Sequence, residues 1–349
     1  MPTTAIETPA NPYVQVPETS ESLDWADLRT LDLAKYDLPG VKQELAIELT
    51  KAIEDVGFFY VKNYGLSKEE IDAQFGLAKM VLSLPNDEKQ KYRAALEQGD
   101  YNGWKPAGIR NLIPGGKDNL EIYNIPKFIP EHAGRPHPEV VRAHWHTIER
   151  FSKHVHNHII KKLLVIFAVA LGLEDEEWLV KRHRYDRTSG DHLRYMKYYA
   201  RSEEENRKLR GVWLKGSVSL PVAALQVLTK SGEWKYVRPQ MEALTVNIAD
   251  ALQFMTNGYL KSSIHRVVAP PKDQAHIDRL GVLYMVRIED DCDLVPIDES
   301  PVLQKHGLTG NKILGSDGQP LKAASTTKEG DNEVNDVEIL KGVKVHYFD

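Results

Sequence analysis

Residues 257–271 read NGYLKSSIHRVVAPP. Asn257–Gly258 is a turn pair, the run after it is a short strand carrying one histidine, His265, and a double proline closes it. A lone histidine on a strand has two readings. It is a core-edge residue satisfied by backbone hydrogen bonds, or it is one ligand of a metal site whose partners lie elsewhere in the chain. Spacing alone does not choose between them.

The segments on either side are of the same kind. From about residue 190 onward, short β-rich runs alternate with turns: LRYMKYY, SVSL, ALQVLT, WKYVRP, LTVNIAD, SIHRVVAPP and LGVLYMVRI, with KSGEW (230–234) as a hairpin turn. The first half differs. Leu45, Ile47, Leu49 and Ile53 have helical spacing over 45–55, and GFFYVKNYG switches to a strand after Gly57. SKEEIDAQFGLAKMVLSLP is a helix with Ser67 as N-cap, Glu70 at the capping-box position and Pro85 as the stop. Residues 137–173 read as one long helical stretch ending at Gly172. The pattern predicts an α+β protein: a jelly roll or antiparallel barrel over about 190–300 behind a helical N-terminal region. The expected divisions are a loose tail or strap over 1–22, a mainly helical region over 23–189, the jelly-roll core over 190–307 and a C-terminal extension over 308–349.

Bulk properties exclude several classes. The chain has 349 residues, 42% of them hydrophobic and 27% charged, with a formal net charge of −5. That is ordinary for a globular protein and speaks against nucleic-acid binding, which favours a basic face. One cysteine, Cys292, excludes an internal disulfide framework and suits a reducing compartment. The N-terminus lacks a basic region followed by an apolar run, and LLVIFAVALGL (163–173) is too short to span a bilayer. The expectation is a cytoplasmic protein acting on a small molecule, with no nucleic acid and no membrane as partner. Among the other histidines, His154 and His158 share one helix face at i, i+4, but HVHNH lacks the glutamate of a zinc-protease helix, so a polar-face role is expected. His183, in the basic run KRHRY, is expected at the surface.

Four blocks together resemble the iron(II)/2-oxoglutarate-dependent dioxygenases of the isopenicillin N synthase type, in the family's order: AIEDVGFFYVKNYGLS, ALQVLTKSGEWKYVRP, ALTVNIADALQFMTNGYLKSSIHRVVAPP and DRLGVLYMVRI. The resemblance covers roughly residues 23–307, is closest in flavour to the fungal branch of secondary metabolism, and implies a double-stranded β-helix. It also implies a facial triad of a His-x-Asp pair and a distal His, leaving open positions for 2-oxoglutarate and oxygen. His265 matches the distal His. Arg279 matches the arginine that binds the far carboxylate of 2-oxoglutarate, and Gly281 stands where the family has a serine. Tyr198 or Tyr199 matches a tyrosine that contacts the co-substrate, and Trp213 and Asn247 complete the implied pocket.

The departure is in GVWLKGSVSLPVAALQVL, where His-x-Asp belongs. It holds neither residue. Either Val212-Trp213-Leu214 replace the pair, or the chain passes from WLKG to SVSL and omits it. Asp191 and His192 are the nearest substitutes along the sequence. The resulting expectation is a dioxygenase-fold enzyme with a broken triad, no metal and no cofactor. It would carry out a non-oxidative cyclisation, isomerisation, elimination or pericyclic step in the old cavity, with His265 and Arg279 as its catalytic pair. Two alternatives stand beside it: an oxidoreductase that uses Fe(II) and 2-oxoglutarate through atypical ligands or a missed exon, and a silent partner dimerising with an active homologue or with a second copy.

Overall fold

The computed structural model describes residues 13–113, 116–208, 214–215, 222–240 and 242–310. Its architecture is the expected jelly roll with helices packed on one side. The helix-backed sheet has the strand order Arg279–Met285, His192–Tyr198, Leu120–Pro126, Gly103–Lys105. All its pairings are antiparallel, and the central pairs run over seven residues, with Arg279 opposite Tyr198 and Leu120 opposite the same tyrosine. The facing sheet is built of shorter pieces in the order Trp234–Tyr236, Leu225–Leu228, His265–Val267, Leu214–Lys215. His265 pairs with Val227, and Val267 with Leu225 and Leu214. A third sheet, Thr30–Asp32, Phe58–Lys62 and Ala243–Asn247, closes one end.

Alternation along the strands decides what faces the space between the sheets. Leu193, Tyr195, Tyr123 and Ile125 turn outward and join the main core with the helices Val41–Asp55, Lys68–Leu82 and Lys161–Ala170. Leu120, Ile122, Met196 and Tyr198 turn inward, where Val267 of the facing sheet and Leu283 pack on them. The local signals around this frame hold. Ser67 caps its helix through the Glu70 amide while the Glu70 carboxylate accepts from the Ser67 amide. The KSGEW hairpin closes with Thr229 N donating to Glu233 O at 2.9 Å.

The long helical stretch over 137–173 is not one helix. It breaks at His144, where φ is −110° and ψ is 22°, and runs as a π-helical turn over Val155–Ile160. The wider turn lets His156 reach inward: Nε2 donates to His183 O at 2.7 Å, and Nδ1 lies 3.2 Å from the Tyr284 hydroxyl. His183 is therefore not the surface residue its basic neighbours suggest. It is partly buried and bonded to Leu179 O at 2.8 Å. The predicted SVSL strand and the closing VEILKGVKVHYF run lie outside the described residues.

Candidate functional site

Gly57 lets its strand pass close to the segment that leads into His265. Its φ is +72°, and a Cβ there would lie 2.9 Å from that of Ser263, so only glycine lets the chain pass so close. Beyond it, Phe58 meets the His265 ring edge-on with centroids 5.2 Å apart. His265 Nδ1 donates to Ser263 O at 2.9 Å. That bond leaves Nε2 as the acceptor nitrogen of the neutral ring. Burial pulls the pKa of His265 below its usual value, against a smaller opposing effect of the Ser263 bond and Asp250. It is neutral at pH 7 and available as a base or a ligand.

Arg279 lies on the opposite wall. It is 2% exposed, its guanidinium carbon sits 4.3 Å from the centre of the Tyr198 ring, and among the described residues none of its three nitrogens has a hydrogen-bond partner. Its neighbours on that wall, Leu120, Ile122, Met196 and Leu283, are apolar. Burial lowers its pKa, yet a guanidinium stays charged. An unpaired charge in such surroundings costs several kcal/mol. A ligand carboxylate can pair with such a guanidinium as a bidentate fork.

Other residues singled out in the sequence fall elsewhere. Tyr199 turns to the outer face, where its hydroxyl donates to Glu121 Oε2 at 2.5 Å. Asn247 ends a strand opposite Phe58, and its amide donates to Ile248 O at 3.3 Å. Trp213 lies outside the described residues. Asp191 and His192 do not join His265. His192 Nδ1 donates to Gly190 O, and its Nε2 faces Arg194 at 3.2 Å. Asp191 is buried against His156 at 3.4 Å and Lys127 at 3.8 Å. His154 and His158 stack at 4.7 Å, with His154 Nε2 donating to Tyr64 O. Among the described residues, the group of three side chains close enough to share a metal ion is Glu289, Asp291 and Cys292, which does not include His265. The fit is thus uneven. Arg279 suits the far carboxylate of 2-oxoglutarate, whereas the donors described around His265 do not suit iron.

Two hollows open on the outer surface: one of about 360 Å³ at Glu131–Pro136 and one of about 200 Å³ lined by Phe128, His137 and Trp145. Neither includes His265 or Arg279. In them Arg135 holds Asp100 at 2.6 Å, and His137 shares a 2.8 Å hydrogen bond with Tyr123.

Comparison with known proteins gives this geometry a family. A profile described as non-haem dioxygenase in morphine synthesis, N-terminal, matches residues 28–147, and one described as the 2OG-Fe(II) oxygenase superfamily matches 193–285. The 2-oxoglutarate-dependent dioxygenase gloE of Glarea lozoyensis is 26% identical over 273 residues, covering 76% of this chain and 80% of its own. A full-length Neurospora crassa protein solved in complex with alpha-KG superposes with a TM-score of 0.72 at 18% identity, covering 89% of this chain and 98% of that one. JOX2 in complex with 2OG, Fe and JA has a TM-score of 0.60 at 19% identity, covering 92% and 90%. These findings overturn the expectation of no cofactor. The matched family is defined by iron and 2-oxoglutarate, and solved neighbours hold 2-oxoglutarate, one of them together with iron and a small molecule. The described residues include no helix long and apolar enough to cross a membrane.

Proposed function

The chain belongs to the 2OG-Fe(II) oxygenase superfamily, and from that premise we propose that it is a small-molecule enzyme of secondary metabolism. It seats 2-oxoglutarate, or a substrate carboxylate of the same shape, against Arg279, in a cavity whose protein ligands for iron are incomplete. The observation that carries this reading is a guanidinium buried on the inner wall of the jelly roll without a hydrogen-bonded partner among the described residues. His265 is the retained triad position, and LRGVWLKGSVSLP (209–221) contains neither His nor Asp. One neutral imidazole, with no carboxylate to offset the metal's charge, is a weak iron site. Iron supplies oxygen activation where the family binds it. The groups of this chain do the rest: Arg279 orients the ligand, Tyr198 and the apolar wall exclude water, and His265 Nε2 is free to hold a proton.

The test is calorimetric titration with 2-oxoglutarate, under anaerobic conditions, with and without Fe(II). The expected result is binding of 2-oxoglutarate that depends on Arg279, with Fe(II) held well below one equivalent in its absence. Tight stoichiometric Fe(II) would overturn the incomplete-site part. Binding unaffected by Arg279→Met would overturn the anchor.

A second reading is favoured by the missing His-x-Asp itself. The bound carboxylic acid is the substrate, and the step is non-oxidative: a cyclisation, isomerisation or elimination with His265 as acid–base. His265→Ala should then cost roughly 10²–10⁴-fold in turnover, and wild-type turnover by that variant would exclude the role.

A further inference from the structure

The outer face of the Arg279 wall carries a second buried charge cluster, and its purpose is not evident from the cavity. Glu121 is 2% exposed. Its Oε1 accepts from Lys89 Nζ at 2.5 Å and from Trp104 Nε1 at 2.6 Å, while Oε2 accepts from the Tyr199 hydroxyl at 2.5 Å. Lys89 is also buried, and donates to Leu82 O at 3.2 Å. Four elements thus meet at one carboxylate: the helix Lys68–Leu82 through its last carbonyl, the short helix Asn86–Gln90, the strand Gly103–Lys105 and the end of the Tyr198 strand.

A salt bridge between Lys89 and Glu121 would be complete without Tyr199. The tyrosine adds a neutral donor from the residue next to Tyr198, the ring that carries Arg279. The backbone repeats the restraint, since Tyr199 N donates to Asn119 O at 3.0 Å. Lys197 Nζ lies over the Tyr199 ring at 4.1 Å. The last residues of this strand are therefore clamped on the face away from the cavity. Among the described residues Arg279 has no polar partner other than the Tyr198 side chain against which it lies. Its direction follows from the Tyr198 ring, and the ring's direction from the strand end.

We propose that Glu121 and Tyr199 are positioning residues for the anion site: the Tyr199–Glu121 hydrogen bond sets the end of the strand, and with it the Tyr198 ring that aims Arg279. This rests on the reading of Arg279 as a carboxylate anchor. Lys89 and Trp104 hold the carboxylate in place and define its orientation.

The test separates positioning from stability with four proteins: wild type, Tyr199→Phe, Glu121→Gln and Arg279→Met. For each, the dissociation constant for 2-oxoglutarate and the melting temperature are measured. Tyr199→Phe removes only the hydroxyl, and is expected to weaken 2-oxoglutarate by about 10-fold, as a small misplacement does, with little change in Tm. Glu121→Gln leaves a single acceptor oxygen for Lys89, Trp104 and Tyr199 to share, so the Tyr199 hydroxyl loses its own acceptor and Lys89 its counter-charge. It is expected to weaken 2-oxoglutarate by about the same 10-fold as Tyr199→Phe while also lowering Tm markedly. A purely structural cluster predicts instead that affinity loss follows Tm loss across both variants. That result overturns the proposal, as does wild-type affinity in Tyr199→Phe when Arg279→Met has lost binding. If Arg279→Met binds as wild type, the anchor itself falls and the positioning role falls with it.

Discussion

The two walls of the cavity are built to different standards. The Arg279 wall is made of strands paired over seven residues on both sides of His192–Tyr198 and is backed by helices. The described His265 wall is paired over three residues between His265–Val267 and Leu225–Leu228. On its outer face Arg266 bonds Gln226 at 2.7 Å and stacks 4.0 Å over Trp234. A buried cation held without a partner needs a rigid apolar surround, and the long strands supply it. A histidine satisfied by one backbone carbonyl does not. The difference teaches that the two walls are anchored differently: Arg279 is held by strands of the main core, whereas His265 rests on pairings that are shorter among the described residues.

The largest expected effect tests the Arg279 wall directly. Arg279→Met should weaken 2-oxoglutarate by 2–5 kcal/mol, roughly 30-fold or more, because a desolvated charge partner is lost. The same variant should melt higher than wild type without ligand, because a buried uncompensated charge is gone. Differential scanning with and without saturating 2-oxoglutarate checks both. A lower unliganded Tm would mean that the guanidinium is already satisfied.

Acid stability comes next. Burial lowers His137 and His156 to about 4 and His192 to about 3, all on or behind the helix-backed sheet. Their folded pKa values lie below the unfolded 6.5, so the stability they contribute is present above pH 6.5 and is lost as pH falls through about 4. At most, His137 and His156 are each worth roughly 3 kcal/mol and His192 roughly 5 kcal/mol. Asp191, raised by burial to about 6, works the other way and gains as pH falls from 6 towards 4. Three histidines against one carboxyl predict a net loss, and His137→Phe should flatten the slope of Tm against pH between 6.5 and 4. An unchanged slope would remove His137 from the account.

Hydrogen exchange sharpens the contrast at smaller scale. Amides of 193–197 and 280–284 should exchange at least about tenfold more slowly than those of 265–267 and 225–228, since local opening follows the length and support of the pairing. Equal protection would erase the distinction between the walls. The smallest effect is Ser67→Ala, which removes half of a capping box and should cost about 1 kcal/mol in chemical denaturation, with no effect on ligand affinity.

Much of this was legible in the sequence, and the parts that were not share a cause. His265 and Arg279 announce themselves because each lies in a local block with turns and alternation around it. Ser67 and Glu70 are three residues apart, so their capping box is a local signal. Glu121 is different. Its partners Lys89 and Tyr199 lie 32 and 78 residues away, and LEIYNIP gives no sign that the glutamate is interior. His183 misleads for the same reason, because a basic residue reads as solvated until the distant groups it meets are found. The break at His144 and the π turn reflect what the helix packs against rather than its own periodicity.

One feature of the N-terminal strap bears on how the chain is made. Gln274 donates to Pro17 O at 2.8 Å while accepting from Ala223 N at 2.9 Å, and Asp273 holds Thr19 and Ser20. Pro17 and Gln274 are 257 residues apart. At 5–20 residues per second, a ribosome needs about 13–50 s to bridge that interval. For all that time the strap exists without its anchor, so a segment made early is among the last to find its place.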